Sequence, residues 1–245
     1  MPAVFVHGVP DTVHVWRKVL DCLARPDVVT LALPGFGTPR PVGFTPTKEG
    51  YVEWLLAELA QQAAPVDVVG HDWGALLVLR ALSLEPRLAR HWAVGGAPLD
   101  PEYVWHKTAQ VWQTPGAGEQ LMQAMTPQAL QEGLTASGVP ADDAAETASR
   151  VDASMKECIL ALYRSAVHVG REWTDDLSHL TAPGLVLWGQ NDPYAAVDFG
   201  ARLAARTGAR FVPFEACGHW WQMERPDDVA RELRASWEAA GPESR

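Results

Sequence analysis

VDVVGHDWGALLVL, residues Val66 to Leu79, is the stretch whose reading decides the fold. Val66–Val69 is a short, β-branched apolar run of the kind that forms a strand buried on both faces, and Ala75–Leu84 is apolar at helical spacing. Only Gly70, His71, Asp72, Trp73 and Gly74 lie between them to turn the chain from strand into helix. So sharp a turn strains its central residue, and the flanking glycines remove side chains that would collide around it. This is the spacing of a nucleophile elbow, with Asp72 at the nucleophile position.

Working outward, the same rhythm recurs. Short apolar runs at Ala3–Val6, Val28–Leu33, His91–Val94, Leu185–Trp188 and Arg210–Phe214 predict further strands. Helical periods at Thr12–Leu23, Thr47–Ala63, Ala195–Ala205 and Asp227–Ala239 alternate with them. Right-handed crossovers then give an α/β fold, a doubly wound and mostly parallel sheet with helices on both faces. One interval breaks the pattern. Between Gly95 and Gly184 lie roughly ninety residues without a β-rich run, too long for a loop in a compact domain. Helical stretches near Tyr103–Trp112, Glu119–Gln131, Ala141–Ser149 and Ala153–Val169 make this interval a helical cap. The expected division is a core of 1–98 and 175–245 with a cap of 99–174.

The 245 residues are 47% hydrophobic, with 20 Lys plus Arg against 30 Asp plus Glu and a net charge of −10, a composition that excludes disorder. The negative balance and the absence of a basic cluster argue against nucleic acid or an anionic membrane as partner. Cys22, Cys158 and Cys217 have no metal-binding spacing and read as packing residues in a reducing compartment. Met1–Val6 has neither a basic leader nor a cleavage signal, and no run reaches the roughly 18 apolar residues of a membrane span. The expectation is a cytoplasmic monomer or homodimer acting on a small apolar substrate, with no cofactor and no metal.

The chemistry follows from Asp72. A carboxylate is ionised at neutral pH and attacks a saturated carbon without a base, leaving an alkyl ester that water must hydrolyse. Hydrolysis needs a general base, for which His219, in the loop after the last strand, is the candidate. Its orienting acid is expected on a neighbouring loop. Asp192, directly after Leu185–Trp188, lies 27 residues before His219, room for one helix and one strand. Asp100, after the strand His91–Val94, is the competing acid. The backbone N–H groups of Val9 and Trp73 are placed to converge on a carboxylate oxygen of Asp72 as an oxyanion hole. His7 and His71 read as structural, and Asp192 as a bare turn residue is the plain alternative.

Four motifs in register, HGVPD (7–11), LPGFG (33–37), GHDWG (70–74) and GHWWQMERP (218–226), resemble the α/β-hydrolase fold in its epoxide hydrolase and haloalkane dehalogenase branch. The likeness runs over nearly the whole chain. It implies Asp72 as nucleophile, Asp192 as acid, His219 as base and the amides of Val9 and Trp73 as oxyanion hole. The family usually has two strands before HGxP, so a sheet short at its N-terminal edge is expected.

Both branches share the triad, so the groups that stabilise the leaving atom decide between them. ALYRSA (161–166) places Tyr163 where similar epoxide hydrolases carry a proton-donating tyrosine. A second is absent. Its position falls near Thr108, Tyr103 is nearby but out of register, and His106 or a water is left to assist. Trp73 serves either branch. Val9 stands where many dehalogenases carry Asn. The Trp105–His106 order is the reverse of the His and Trp pair in fluoroacetate-type dehalogenases. Epoxide opening to a diol is therefore expected, with hydrolytic dehalogenation of haloalkanes or haloacids as one alternative and a non-catalytic ligand-binding protein as another. Trp73, Tyr103, His106 and Trp220 are the expected substrate-binding residues. For Tyr163 the plain alternative is a core tyrosine.

Overall fold

The computed structural model describes residues 1–63 and 65–241. Six strands, β1 (Ala3–Val6), β2 (Val28–Leu31), β3 (Val66–His71), β4 (Ala89–Gly95), β5 (Gly184–Gly189) and β6 (Arg210–Phe214), form one sheet in the order β2-β1-β3-β4-β5-β6. Every pairing is parallel. Each strand run expected from the sequence is present, which makes this a doubly wound α/β sheet.

Helices α1 (Arg17–Leu23), α2 (Lys48–Ala60) and α3 (Trp73–Leu84) connect the first strands. Between β4 and β5 come α4 (Lys107–Gln113), α5 (Ala117–Ala124), α6 (Pro127–Ala136), α7 (Ala141–Arg150), α8 (Ala153–Ser165) and α9 (Val169–Trp173), with no strand among them. α10 (Val197–Thr207), α11 (Trp221–Glu224) and α12 (Pro226–Ala239) complete the chain.

The two-residue period of a strand sorts side chains to opposite faces. Val4 and Val6 join Tyr51 and Leu55 of α2 and Leu76 of α3 in one core, whereas Ala3 and Phe5 join Trp16, Val19 of α1 and Leu233 of α12 in the other. Burying both faces explains why the strands read as continuous apolar runs rather than alternating ones.

Helix boundaries follow local chemistry. The helix expected over Glu119–Gln131 is two helices, because the residue before a proline is driven out of the α region. Thr126, before Pro127, is extended at φ −87°, ψ 156°, and its hydroxyl accepts the Ala129 N–H at 3.1 Å as an N-cap. The helix expected from Tyr103 starts only at Lys107, with His106 as cap residue. The one over Ala153–Val169 ends at Ser165. No helix among the described residues is long and apolar enough to cross a membrane.

β2 lies on one side of β1 and β3 on the other, so the strand order reverses at β1 and β3 and opens a crevice at their C-terminal ends. The opposite, N-terminal end is held by charge. Asp67, fully buried on β3, takes Arg90 Nη2 at 2.7 Å and Arg25 Nη1 at 3.1 Å. Asp67→Ala takes the shared carboxylate from Arg25 and Arg90, which keep Asp27 and the Trp237 and Gly241 carbonyls as partners, and is expected to cost about 2 kcal/mol, read by urea unfolding, with the site above the crevice intact.

Candidate active site

Asp72 closes β3 with φ 52°, ψ −123°, a left-handed backbone that L-residues avoid. The neighbouring chain tolerates this only at close range. A Cβ on Gly74 would stand 2.3 Å from the Val6 carbonyl oxygen, and one on Gly8 would stand 2.4 Å from Asp72 Cβ. Glycine at both positions lets the loop after β1 lie against the turn after β3. Val9 N–H then donates to Asp72 Oδ1 at 2.7 Å. The other amide expected to converge there, Trp73 N–H, makes no hydrogen bond to the carboxylate among the described residues.

His219 follows β6 and Asp192 follows β5, so both arrive at the same edge of the sheet as Asp72. His219 Nδ1–H donates to Asp192 Oδ2 at 2.7 Å, and His219 Nε2 lies 3.7 Å from Asp72 Oδ2. The other Asp192 oxygen accepts the N–H groups of Tyr194 at 2.8 Å and Ala195 at 3.0 Å, fixing the carboxylate. Asp100, the competing acid, is engaged elsewhere, with Arg202 Nε at 3.1 Å and the Glu102 N–H at 2.9 Å.

Backbone contacts hold the His219 loop. His71 Nε2–H donates to the His219 carbonyl at 2.9 Å, and Glu224 accepts the Gly218 N–H at 3.0 and 3.1 Å. His7 donates from Nδ1 to the Gly8 carbonyl at 2.8 Å and accepts the Leu33 N–H on Nε2 at 3.1 Å, bracing the loop after β1. Burial, the largest influence, holds His7 down to about 4 and His71 down to about 3, so both are neutral struts.

The central pair is charged. Burial opposes a charge on Asp72, but the positive His219 ring 3.7 Å away, with help from the Val9 N–H, outweighs it and holds the carboxyl below its ordinary pKa. Burial likewise opposes a charge on His219, yet the charge and hydrogen bond of Asp192, followed by the charge of Asp72, lift the imidazole well above its ordinary value. The resting site is thus an imidazolium between two carboxylates.

Above Asp72 lies a cavity of about 430 Å3. Asp72, Val9 and His219 form its floor, Tyr103, Trp105, His106, Trp112 and Tyr163 one wall, and Trp220 and Tyr194 another. It continues between α5 and α6, past Leu121, Met125 and Leu130. Among the described residues, no Lys or Arg lines it. Of the expected substrate-binding residues, Tyr103, His106 and Trp220 line the cavity, but the Trp73 side chain does not. The Trp73 ring is buried beneath two others, stacked on Trp105 at 5.9 Å and edge-on to Tyr163 at 5.4 Å, because its place at the start of α3 turns it into the core.

Two residues at the site were not singled out from the sequence. Tyr194 packs on His219 at 5.1 Å, and its hydroxyl meets Ser137 Oγ at the end of α6 at 3.1 Å. The signal was there, two residues after Asp192. Asp11, the last residue of HGVPD, is buried and accepts the Trp220 indole N–H at 3.0 Å. Burial pushes its pKa up to about 7; the Trp220 bond opposes this, and the charge of Asp72 adds to it.

Comparison with known proteins agrees with this fold. The alpha/beta hydrolase family matches residues 3–232. The chain belongs to that family. Among curated relatives, this α/β hydrolase is 41% identical over 56 residues to a 2-hydroxy-6-oxononadienedioate/2-hydroxy-6-oxononatrienedioate hydrolase of Dechloromonas aromatica, a match covering 22% of the chain and 19% of the relative. It is 23% identical over 249 residues to the (E)-2-((N-methylformamido)methylene)succinate hydrolase of Acinetobacter baylyi, covering 96% of the chain and 89% of the relative. Among solved structures, the haloalkane dehalogenase DbeA from Bradyrhizobium elkani superposes with a TM-score of 0.75 at 21% identity, over 97% of this chain and 91% of that one. At that identity the likeness shows the fold.

Replacing Asp192 by Asn removes the charge that most raises His219. An NMR titration of the imidazole is expected to place its pKa clearly below the parent's, with Asp72→Asn producing the smaller drop.

Proposed function

We propose that this hydrolase opens a neutral, apolar epoxide to a vicinal diol through a covalent ester on Asp72. Asp72 Oδ2 attacks an epoxide carbon, the C–O bond breaks, and its electron pair passes to the epoxide oxygen, which takes the hydroxyl proton of Tyr163. His219 then takes a proton from water, and the hydroxide adds to the ester carbonyl. The resulting oxyanion is held by the Val9 amide and, once the carboxylate has become an ester, by that of Trp73. Collapse expels the second alcohol oxygen, which leaves with the proton of the new carboxyl. The proton that the resting imidazolium gives up on alkylation passes through solvent to Tyr163, and the one His219 takes from water restores the imidazolium, so the balance is one epoxide and one water to one diol.

Electrostatics supports this order. Alkylation erases the charge of Asp72, which lowers the basicity of the imidazolium beside it and frees Nε2 to act as base. Asp192 stays to stabilise the imidazolium that forms next. The helices of 99–174 act as the cap that covers this chemistry. A cavity wall without Lys or Arg among the described residues favours neutral substrates over haloacids and dicarboxylates, since an unpaired carboxylate beside Asp72 would be both desolvated and repelled.

The observation that carries the epoxide reading is that Tyr163 faces the same cavity as Asp72 while Trp73 lies behind it. A halide leaving group calls for N–H donors; an opening epoxide calls for a proton. Burial, the foremost cause, raises the Tyr163 hydroxyl well above its ordinary pKa, keeping it protonated. A second reading, halide displacement from a neutral alkyl halide, is favoured by the indole N–H groups of Trp112 at the cavity wall and of Trp73 beside it, both buried without a partner among the described residues.

His219→Gln blocks hydrolysis but not alkylation. Incubated with styrene oxide or 1-bromobutane and weighed intact, the variant is expected to hold an epoxide adduct. Halide release with an alkyl adduct would establish the second reading, and no adduct with either reagent would leave a ligand-binding role. In the parent enzyme, lowering the pH from about 8 to about 5 is expected to slow ester hydrolysis more than ester formation, because the base protonates while Asp72 stays ionised. Rapid-quench mass spectrometry would show the ester accumulating.

A further inference from the structure

The cavity above Asp72 reaches well beyond the reacting groups at its floor. Around that floor aromatic rings touch one another: Tyr163 meets Trp105 at 5.1 Å, Trp105 meets Tyr103 at 5.4 Å, and Tyr194 meets His106 at 4.9 Å and Trp220 at 5.8 Å. From this collar the space runs out between α5 and α6 as an arm walled by Leu121, Met125, Leu130 and Ile159. The charged side chains of the cavity, Asp72 and His219, stay at the floor.

One face of α6 runs the length of the arm. Ala129, Gly133 and Ser137 line it at intervals of four residues, which puts them in one row along the helix. Ser137 marks the inner end, because its hydroxyl meets that of Tyr194, whose ring packs on His219. Ala129 marks the outer end, exposed like Ala124 of α5. A rise of 1.5 Å for each step from 129 to 137 makes the arm about 12 Å long. An extended carbon chain advances roughly 1.2 Å per bond, as the three bonds of an extended residue span about 3.5 Å, so about ten bonds fit. Only Met125 and Thr126 join α5 to α6, which keeps the two helices close and suits the slot to a single chain. Gly133 sits midway. Short of proline, glycine is the least favourable residue inside a helix, and neither backbone nor packing asks for it here. Its φ is not positive, and a Cβ would meet no atom within 4 Å. What glycine leaves at this point is width in the arm.

We propose that the arm between α5 and α6 holds an unbranched apolar tail, so that the substrate is a terminal epoxide on a straight alkyl chain, with Gly133 setting how long that chain can be. The inference rests on the epoxide reading above and adds the shape of its substrate. Each methylene drawn from water into the arm adds a similar increment of binding, whereas a hydroxyl or carboxylate there would lose water and gain no partner. With the tail seated along α6, the ring at its head reaches the floor, where Asp72 meets a carbon and Tyr163 the oxygen.

Two measurements test this. Across a series of 1,2-epoxyalkanes, kcat/KM is expected to climb about fourfold per methylene from epoxybutane and to level off near epoxydodecane, where the tail fills the arm. A leucine at 133 suits the helix and points back along α6 toward Ala129, dividing the arm. Gly133→Leu is therefore expected to lower the ratio of kcat/KM for 1,2-epoxydecane over 1,2-epoxyhexane about tenfold or more. A flat series in the parent, or the parent's ratio in the variant, would overturn the proposal. Binding needs no turnover: by tryptophan fluorescence, 1-decanol is expected to bind the parent about tenfold or more tighter than 1-hexanol, and Gly133→Leu is expected to lose that preference. Epoxide turnover without any preference for length, in rate or in binding, would sink the tail and leave the epoxide reading standing. Tight decanol binding by a parent that turns over no epoxide would do the reverse, upholding the tail and removing the epoxide from its head.

Discussion

An imidazole lodged between the buried carboxylate of Asp192 and the partly exposed one of Asp72 governs the rest of this site. Three ionisable groups packed this closely are costly unless each answers another, and the fold arranges that they do. Asp192 is spent on orientation, with one oxygen on the imidazole and the other on two backbone amides. Asp72 keeps its second oxygen 3.7 Å from the ring, near enough to stay ionised and loose enough to react. The strained backbone at Asp72 is the geometric side of the same constraint, because only that turn aims the carboxylate over the crevice instead of into the sheet.

Supporting these charges are neutral groups. His7 and His71 lie close to the charged centre, yet burial keeps both uncharged, and each uses its ring to pin a loop. Tyr103 and Tyr194 continue the bracing toward the helices above, where Tyr194 meets Ser137 at the end of α6. Floor and wall of the cavity are therefore linked by hydrogen bonds running from the loops after β5 and β6 to the helices between β4 and β5.

Much of the fold was legible because it rests on local pattern. Each strand announces itself as an apolar run, since a parallel sheet covered on both faces needs apolar side chains at every position. Asp72, His219 and Asp192 were legible because each follows a recognisable strand, and a parallel sheet brings the ends of all its strands to one edge. Helix limits in 99–174 were less so. Periodicity ran through Thr126–Pro127 without registering the break, and the start at Lys107 depends on a histidine acting as cap. Asp11 and Ser137 escaped notice because their partners, Trp220 and Tyr194, are distant in sequence. The side chain of Trp73 was misplaced for a related reason. A motif gives its position in the chain, but only packing against Trp105 and Tyr163 decides which way the ring turns.

The central claim is that substrate carbon becomes bonded to a carboxylate oxygen of residue 72. A single turnover in oxygen-18 water, with enzyme in excess over styrene oxide, tests it most directly. The account predicts a diol whose new oxygen is unlabelled, donated by the enzyme, and a peptide containing Asp72 made heavier by one oxygen-18. Label entering the diol directly, with that peptide unchanged, would contradict it.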